Sequence, residues 1–286
     1  MPHPVRSLLT SLLLLGLGCT NPAPPSRTAD AGPPAPLLDG TEKTLIVIGY
    51  STSYAWPTIL QDMLDRHAGG TRRYHVLNAV IGGSPVGRWI ADPESDDYRE
   101  TYGAMQRDFL GPNSRLRGDV PPPTIALLQQ SLQRTPTRET RLGPVTSATD
   151  TAGIRIGADA LEQLVTQLRD DGIREVYIAM HIYKQGYEPE VGNERFALNA
   201  LLERGHPFIH GGPDVWSPMI REHPAAFTDD GLHPNERGAR IMAEAWYRAL
   251  AGADARPEVI EAMQARAYDV DALTRAYLDW RREGDS

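Results

Sequence analysis

Three features that would each indicate a particular class of protein are scarce in this chain. Cys19 is the only cysteine among its 286 residues, so no disulfide can form within the chain. There is no excess of basic residues: the net charge of −8 and the pI near 5.5 argue against a nucleic-acid partner and a polybasic membrane surface. The apolar run over residues 8–17 is too short to cross a bilayer. With 41% hydrophobic residues, the chain can still bury a sizeable core.

The N-terminus has the pattern of a targeting segment. Arg6 precedes the apolar run, whose length is typical of a signal-peptide core. Cys19 follows Gly18 directly, and this arrangement resembles a bacterial lipoprotein signal, in which the cysteine is lipidated and becomes the mature N-terminus. We therefore expect a signal peptide over residues 1–18, a Pro/Ala-rich tether over 19–41, and an exported protein anchored by lipid at the periplasmic or outer-surface face of a bacterial membrane. The alternative is a secretory signal without lipid, with Ala29-Asp30-Ala31 as the cleavage site.

The remainder alternates short apolar β-branched runs with stretches of helical periodicity. Strands are predicted over residues 44–49, 74–80, 124–128 and 176–180. This alternation predicts an α/β fold of three layers (αβα) around a flavodoxin-like parallel sheet of about five strands, over residues 42–252. A C-terminal helical extension is expected over 253–286. The stretches 84–123 and 133–150 are interpreted as irregular, either lids over a cleft or solvated insertions with aromatics packed beneath.

Two polar motifs follow predicted strands. Asp230 and His233 are three residues apart across a glycine-containing turn, so the carboxylate can bond one imidazole nitrogen while the other faces a reacting group. Ser51 follows the first strand, at the sheet edge where open α/β folds bind ligands. The alternatives are an ordinary surface turn before a helix capped by Asn235, and a serine that caps a helix, a role also open to Thr52 or Ser53.

These motifs resemble those of the SGNH (GDSL-type) hydrolase family, in block order over roughly residues 43 to 250. The last block, Asp230-Gly231-Leu232-His233-Pro234-Asn235, matches well, whereas Gly49-Tyr50-Ser51-Thr52-Ser53 has Tyr50 where the family has Asp. The resemblance implies that Ser51 is the nucleophile and that Asp230 and His233 complete the triad. It also implies an oxyanion hole formed by the N–H groups of Ser51 and Gly83, the latter in the block Asn78-Ala79-Val80-Ile81-Gly82-Gly83. The family's Gly-x-Asn-Asp block falls on Gln129-Gln130-Ser131-Leu132 and does not match, which leaves Ser131 or Gln130 as the side-chain donor.

The resulting prediction is a serine hydrolase that cleaves an ester or O-acyl group of a small molecule or carbohydrate through an acyl-enzyme, without a cofactor. Two alternatives stay open: a non-catalytic lipoprotein of the same fold that binds a carbohydrate or acylated ligand, and an O-acyltransferase. No metal site is predicted, because Pro207 and Gly211 argue against one helix that carries both His206 and His210.

Overall fold

Five parallel strands form the centre of the structure, which is a computed structural model. It describes residues 37–111, 114–116, 118–130, 132, 145–183, 185–186 and 190–284. The strands are β1 (Lys43–Gly49), β2 (Tyr74–Asn78), β3 (Ile125–Gln129), β4 (Glu175–Ile178) and β5 (Ile209–Gly211), in the spatial order β2-β1-β3-β4-β5. This is the flavodoxin-like order, so the predicted fold class is confirmed.

Helices cover both faces of the sheet, because successive residues of each strand point to opposite sides. Leu45 and Val47 of β1 join one apolar cluster, and Ile46 and Ile48 join the other. The ten α-helices of the described residues are α1 (Trp56–His67), α2 (Val86–Trp89), α3 (Asp96–Glu100), α4 (Tyr102–Met105), α5 (Thr151–Asp170), α6 (Glu190–Glu203), α7 (Trp216–Arg221), α8 (Glu236–Ala251), α9 (Pro257–Ala265) and α10 (Val270–Gly284). The first cluster lies under α1, α8 and α9, and the second under α2, α5 and α6. The three-layer arrangement follows from these two cores.

The segment between β2 and β3 differs from the irregular stretch predicted for residues 84–123. It contains α2, α3 and α4, followed by a π-helical turn over Gln106–Leu110. Trp89, Tyr102 and Phe109 are buried there and belong to the second apolar cluster. These aromatics therefore pack beneath the segment, as one of the two interpretations predicted.

The C-terminal helix α10 is held against the sheet by specific contacts. The Tyr277 hydroxyl donates to the Val80 carbonyl oxygen at 2.5 Å, just beyond β2. Arg281 forms a salt bridge at 3.0 Å with Asp108, a carboxylate only 1% exposed. Trp280 packs on Phe109 with 5.4 Å between ring centroids. These contacts place α10 within the compact unit Pro36–Ser286.

Several predicted features lie outside the described residues. They are the signal peptide over 1–18, the lipidation site Cys19, most of the tether over 19–41, Ser131, and most of the irregular stretch predicted over 133–150. Within the described ranges, no helix is both long enough and apolar enough to span a membrane.

Gly238 in α8 provides a test of the packing beside the Asp-His turn. In most helices a Gly-to-Ala change stabilises by about 1 kcal/mol. At Gly238, however, a Cβ atom would lie 2.2 Å from the Ala226 carbonyl oxygen and 2.9 Å from Pro234 Cβ. We expect Gly238→Ala to lower the free energy of unfolding by about 1–3 kcal/mol, measured by urea denaturation. Unchanged or increased stability would contradict this packing.

Candidate active site

Ser51 lies at the carboxyl end of β1, in the turn that leads to α1. Tyr50 has extended backbone angles, and Ser51–Ser53 form a single 3₁₀ turn in which the Ser53 N–H donates to the Tyr50 carbonyl oxygen at 2.7 Å. The residue before α1 is Ala55, and no side chain caps that helix. The capping alternative for Ser51, Thr52 or Ser53 is therefore wrong.

Asp230 and His233 lie in a tight turn whose ends are joined by backbone hydrogen bonds. The Thr228 N–H donates to the His233 carbonyl oxygen at 2.8 Å, and Gly231 adopts a left-handed φ of +66°. The Asn235 side chain then accepts from the Gly238 N–H at 3.2 Å, so it caps α8 as predicted. The turn is thus fixed directly to the start of a helix.

The two motifs meet in a continuous hydrogen-bonded chain. Ser51 Oγ lies 2.9 Å from His233 Nε2, and His233 Nδ1 lies 2.6 Å from Asp230 Oδ2. The side chains of Asp230 and His233 are 46% and 43% exposed. The predicted serine, histidine and aspartate are brought together in the order that nucleophilic catalysis requires.

The Asp230 carboxylate accepts more hydrogen bonds than the one from His233. Its Oδ1 accepts from the Leu232 N–H at 2.8 Å, the His233 N–H at 2.9 Å and the Thr228 hydroxyl at 2.7 Å. Partial burial alone would raise the pKa of Asp230, but the hydrogen bonds from His233, Leu232 and Thr228 outweigh it and hold the pKa well below its usual range. Asp230 is therefore ionised at neutral pH. The contribution of Thr228 was not predicted, although a hydroxyl two residues before an aspartate is a common turn partner.

The turn that follows β2, residues 80–84, lies beside Ser51. A Cβ atom on Gly82 would be 3.7 Å from Ser51 Cβ and 2.2 Å from the Tyr54 hydroxyl oxygen. The Tyr54 hydroxyl thus lies against Gly82, and the Ile81 N–H donates to the Gly49 carbonyl oxygen at 3.0 Å. Gly83, the predicted oxyanion residue, has a left-handed φ of +64°, and its carbonyl oxygen accepts from Arg88 at 3.3 Å.

Gln130 does not join this group. With its amide oriented to satisfy both neighbours, it donates to the Ser84 carbonyl oxygen at 2.9 Å and accepts from the Trp89 indole N–H at 3.0 Å. It is buried and lines a separate small cavity next to His181. The geometry does not support the predicted donor role for Gln130, because its amide is engaged in holding the turn after Gly83.

Tyr50, which occupies the place of the family's aspartate, packs behind the serine. Its buried ring stacks on His181 with 4.6 Å between centroids. His181 is 1% exposed, and its Nδ1 lies 2.6 Å from the Ile182 carbonyl oxygen. His181 is thus part of the packing behind the serine.

An open cleft of about 320 Å³ lies above the serine and the histidine. Ser51, Asp230 and His233 line one side, together with Thr52 and Thr228. The helix α10 also lines the cleft, through Val270, Asp271 and Thr274. The sequence did not predict that the C-terminal helix reaches this cleft.

No cluster of three or more His, Cys, Asp or Glu side chains able to hold a metal ion occurs among the described residues. His206 pairs with Glu162, and His210 pairs with Glu175 at 2.5 Å. The two histidines are separated by the start of β5, so they do not share a helix.

No protein-family model and no curated protein matches the chain. Among solved structures, an acetyl esterase crystallised with an acetate ion is 10% identical, with a TM-score of 0.47 over 78% of this chain and 99% of that one. A Slackia heliotrinireducens protein assigned to the SGNH hydrolases is 15% identical, with a TM-score of 0.42 over 73% of this chain and 100% of that one. TesA is 16% identical, with a TM-score of 0.41 over 77% of this chain and 97% of that one. At these identities and TM-scores, a likeness carries no information on activity or substrate.

The lowered pKa of Asp230 makes stability depend on pH. The folded carboxyl group loses its proton more readily than the unfolded one, whose ordinary value is 3.8. Its stabilising contribution is therefore present above that value and is lost as the pH falls towards the folded pKa. We expect the difference in unfolding free energy between wild type and Asp230→Asn to be larger at about pH 5 than at about pH 3. Both pH values lie below the range in which imidazoles usually change charge, so histidine titration does not contribute. Urea denaturation at the two pH values measures it, and equal differences would contradict the assigned hydrogen bonds.

Proposed function

We propose that this protein is a serine hydrolase that cleaves an ester or O-acyl group through an acyl-enzyme at Ser51. One observation carries the proposal: the hydrogen-bonded chain from Ser51 Oγ through His233 to an ionised Asp230, with 2.9 Å and 2.6 Å between the atoms. In an ordinary surface turn, nothing would require the second imidazole nitrogen to lie within hydrogen-bond distance of a serine hydroxyl at the end of a distant strand.

The first half of the reaction follows from this geometry. His233 Nε2 accepts the proton as Ser51 Oγ attacks the carbonyl carbon, and Asp230 stabilises the imidazolium that forms. The histidine then gives that proton to the departing alcohol. In the second half a water molecule attacks the acyl-enzyme and gives a proton to His233, which passes it to Ser51 Oγ as the bond to the acyl group breaks and the acid leaves.

The negative charge on the carbonyl oxygen needs donors, and the backbone is the proposed source. We assign this role to the N–H groups of Ser51 and Gly83. The support is the position of the turn over residues 80–84, since a Cβ atom on Gly82 would lie 3.7 Å from Ser51 Cβ. Within this turn Gly83 has the place of the family's oxyanion glycine, so its N–H is the candidate donor.

The cleft favours a compact substrate. A volume of about 320 Å³ is at the lower end of ligand pockets, so a short acyl group with a small alcohol or a single sugar ring fits better than a long acyl chain. Thr274 is among its lining residues, and a threonine hydroxyl suits a hydroxyl-bearing substrate.

A second candidate is a non-catalytic protein that binds an acylated carbohydrate in the same cleft. It is favoured by one observation: the Gln130 amide is engaged by Ser84 and Trp89, so it does not supply the family's side-chain oxyanion donor. Loss of one such donor typically costs about 10²–10³ in rate. A slow hydrolase and a binding protein therefore differ in whether Ser51 is activated.

Labelling with a fluorophosphonate probe separates these two candidates. We expect the probe to label Ser51 in the wild type, located by peptide mass spectrometry, and the label to disappear in Ser51→Ala. His233→Ala should slow labelling by at least about 10³, because the hydroxyl loses its base.

Ser53→Ala is the matched control for this experiment. Ser53 lies two residues further along the same turn, and its buried hydroxyl forms no hydrogen bond with another described residue, so its loss should leave labelling unchanged. Folded wild-type protein that takes no label at neutral pH would reject the hydrolase and leave the binding protein.

We further propose that the chain is exported and lipidated on Cys19. The support is the sequence itself, in which the apolar run over residues 8–17 is followed by Gly18 and Cys19. The lipid would hold the folded domain near the membrane surface through the Pro/Ala-rich segment before Glu42.

A bacterial host fed an alkyne-bearing fatty acid tests the anchor. We expect the full chain to incorporate the label and to sediment with membranes, and Cys19→Ser to do neither, because the only thiol has been removed. A Cys19→Ser variant that still carries the fatty acid, or an unlabelled wild type, would overturn lipidation.

A further inference from the structure

The first turn of α10 forms a wall of the cleft that Ser51 also lines. Val270, Asp271 and Thr274 occupy one face of this turn, and all three line the same 320 Å³ cleft as Ser51 and His233. Asp269 fixes the start of the helix by accepting from the Ala272 N–H at 2.8 Å. The wall is therefore an ordered helical surface and not a loose tail.

The rest of α10 holds this wall in place. Tyr277, one turn beyond Thr274, donates to Val80 at 2.5 Å and packs on Tyr54 with 5.7 Å between ring centroids. Further along, the Arg115 side chain donates to the Trp280 carbonyl oxygen at 3.0 Å. The same helix thus contacts the turn beside Ser51 and borders the cleft, so the position of Asp271 relative to the serine is fixed.

The charges around the cleft are all of one sign, apart from any proton on His233. Asp230 and Asp271 line it, and no lysine or arginine does so within the described part of the chain. The Asp230 carboxylate is already engaged by His233, Leu232 and Thr228. Asp271, in contrast, is exposed and forms no hydrogen bond or salt bridge with any other described residue, including Arg275 one turn further on. Its oxygens are available to a substrate.

We infer that Asp271 on α10 determines specificity by charge: it repels substrates with an anionic group beside the ester and favours neutral hydroxyl-bearing or cationic ones. This inference rests on the proposed function and narrows its substrate class. A carboxylate only accepts hydrogen bonds, which suits hydroxyl and ammonium groups and penalises a second carboxylate. The neighbouring hydroxyl of Thr274 can donate or accept, and so adds no preference for either charge.

The test compares three acetate esters with the same acyl group: phenyl acetate, and its analogues with a para-carboxylate or a para-trimethylammonium group. For Asp271→Asn we expect kcat/KM for the carboxylate ester, relative to phenyl acetate, to rise by about three- to tenfold over the wild-type ratio. The ratio for the trimethylammonium ester should fall. Both changes should shrink at about 1 M salt, because the interaction is electrostatic and exposed.

Asp279→Asn is the matched control, since it removes the same charge from the same helix. Asp279 is 63% exposed, pairs with Arg282, and does not line the cleft. Its ratios should stay at the wild-type values, and its kcat/KM for phenyl acetate should change little. Equal ratios in Asp271→Asn and Asp279→Asn, with Ser51-dependent hydrolysis present, would overturn the specificity alone. Absence of any Ser51-dependent hydrolysis would overturn the proposed function and the specificity with it.

Discussion

The hydrogen bond between Ser51 and His233 joins two residues 182 positions apart, and the surrounding packing keeps them within reach. The helix α1 begins at Trp56, five residues after Ser51. The helix α8, which contains Trp246, begins three residues after His233. These two indoles stack with 5.7 Å between centroids and 9° between planes, fully buried. The Trp246 N–H also donates to Gln129 at the end of β3, at 3.0 Å. The contact of the two helices therefore sets the separation of the proposed nucleophile and base, because each helix begins within a few residues of one of them.

Much of this arrangement could be predicted from the sequence, because it depends on local patterns. The apolar run before Ser51 indicates a buried strand, and parallel strands end at one edge of a sheet. The conformation of the turn over residues 227–235 is determined locally: Gly231 permits the left-handed backbone, Asp230 is three residues from His233, and Asn235 caps the next helix. The cap and the fold class needed no knowledge of the remaining packing.

Features that depend on distant packing could not be predicted in this way. β5 is three residues long and contains His210 and Gly211, so no apolar run distinguishes it from a loop. Gln130 was a candidate oxyanion donor by block order alone, but its amide is engaged by Ser84 and Trp89, across an interface between β3 and α2 that no local pattern describes. In α10, the periodicity predicts a helix, but only the contacts of Tyr277 and Arg281 place its first turn at the cleft.

At position 50 the packing of a tyrosine ring takes the place of a carboxylate, whereas the carboxylate of Asp230 has no such substitute. The stack of Tyr50 on His181, with 4.6 Å between centroids, holds the backbone before the serine in place, and this requires only packing. It adds no negative charge, so the stabilisation of an imidazolium depends on Asp230, whose pKa is kept low by hydrogen bonds from His233, Leu232 and Thr228. Backbone donors have a similar need for fixed geometry, because an oxyanion hole acts only if its N–H groups are oriented before the charge develops. The contacts of Tyr54, Arg88 and Tyr277 hold the turn over residues 80–84, which carries one donor of the proposed oxyanion hole. The geometry of the candidate site therefore depends on the surrounding elements, and the negative charge hydrogen-bonded to His233 comes from Asp230.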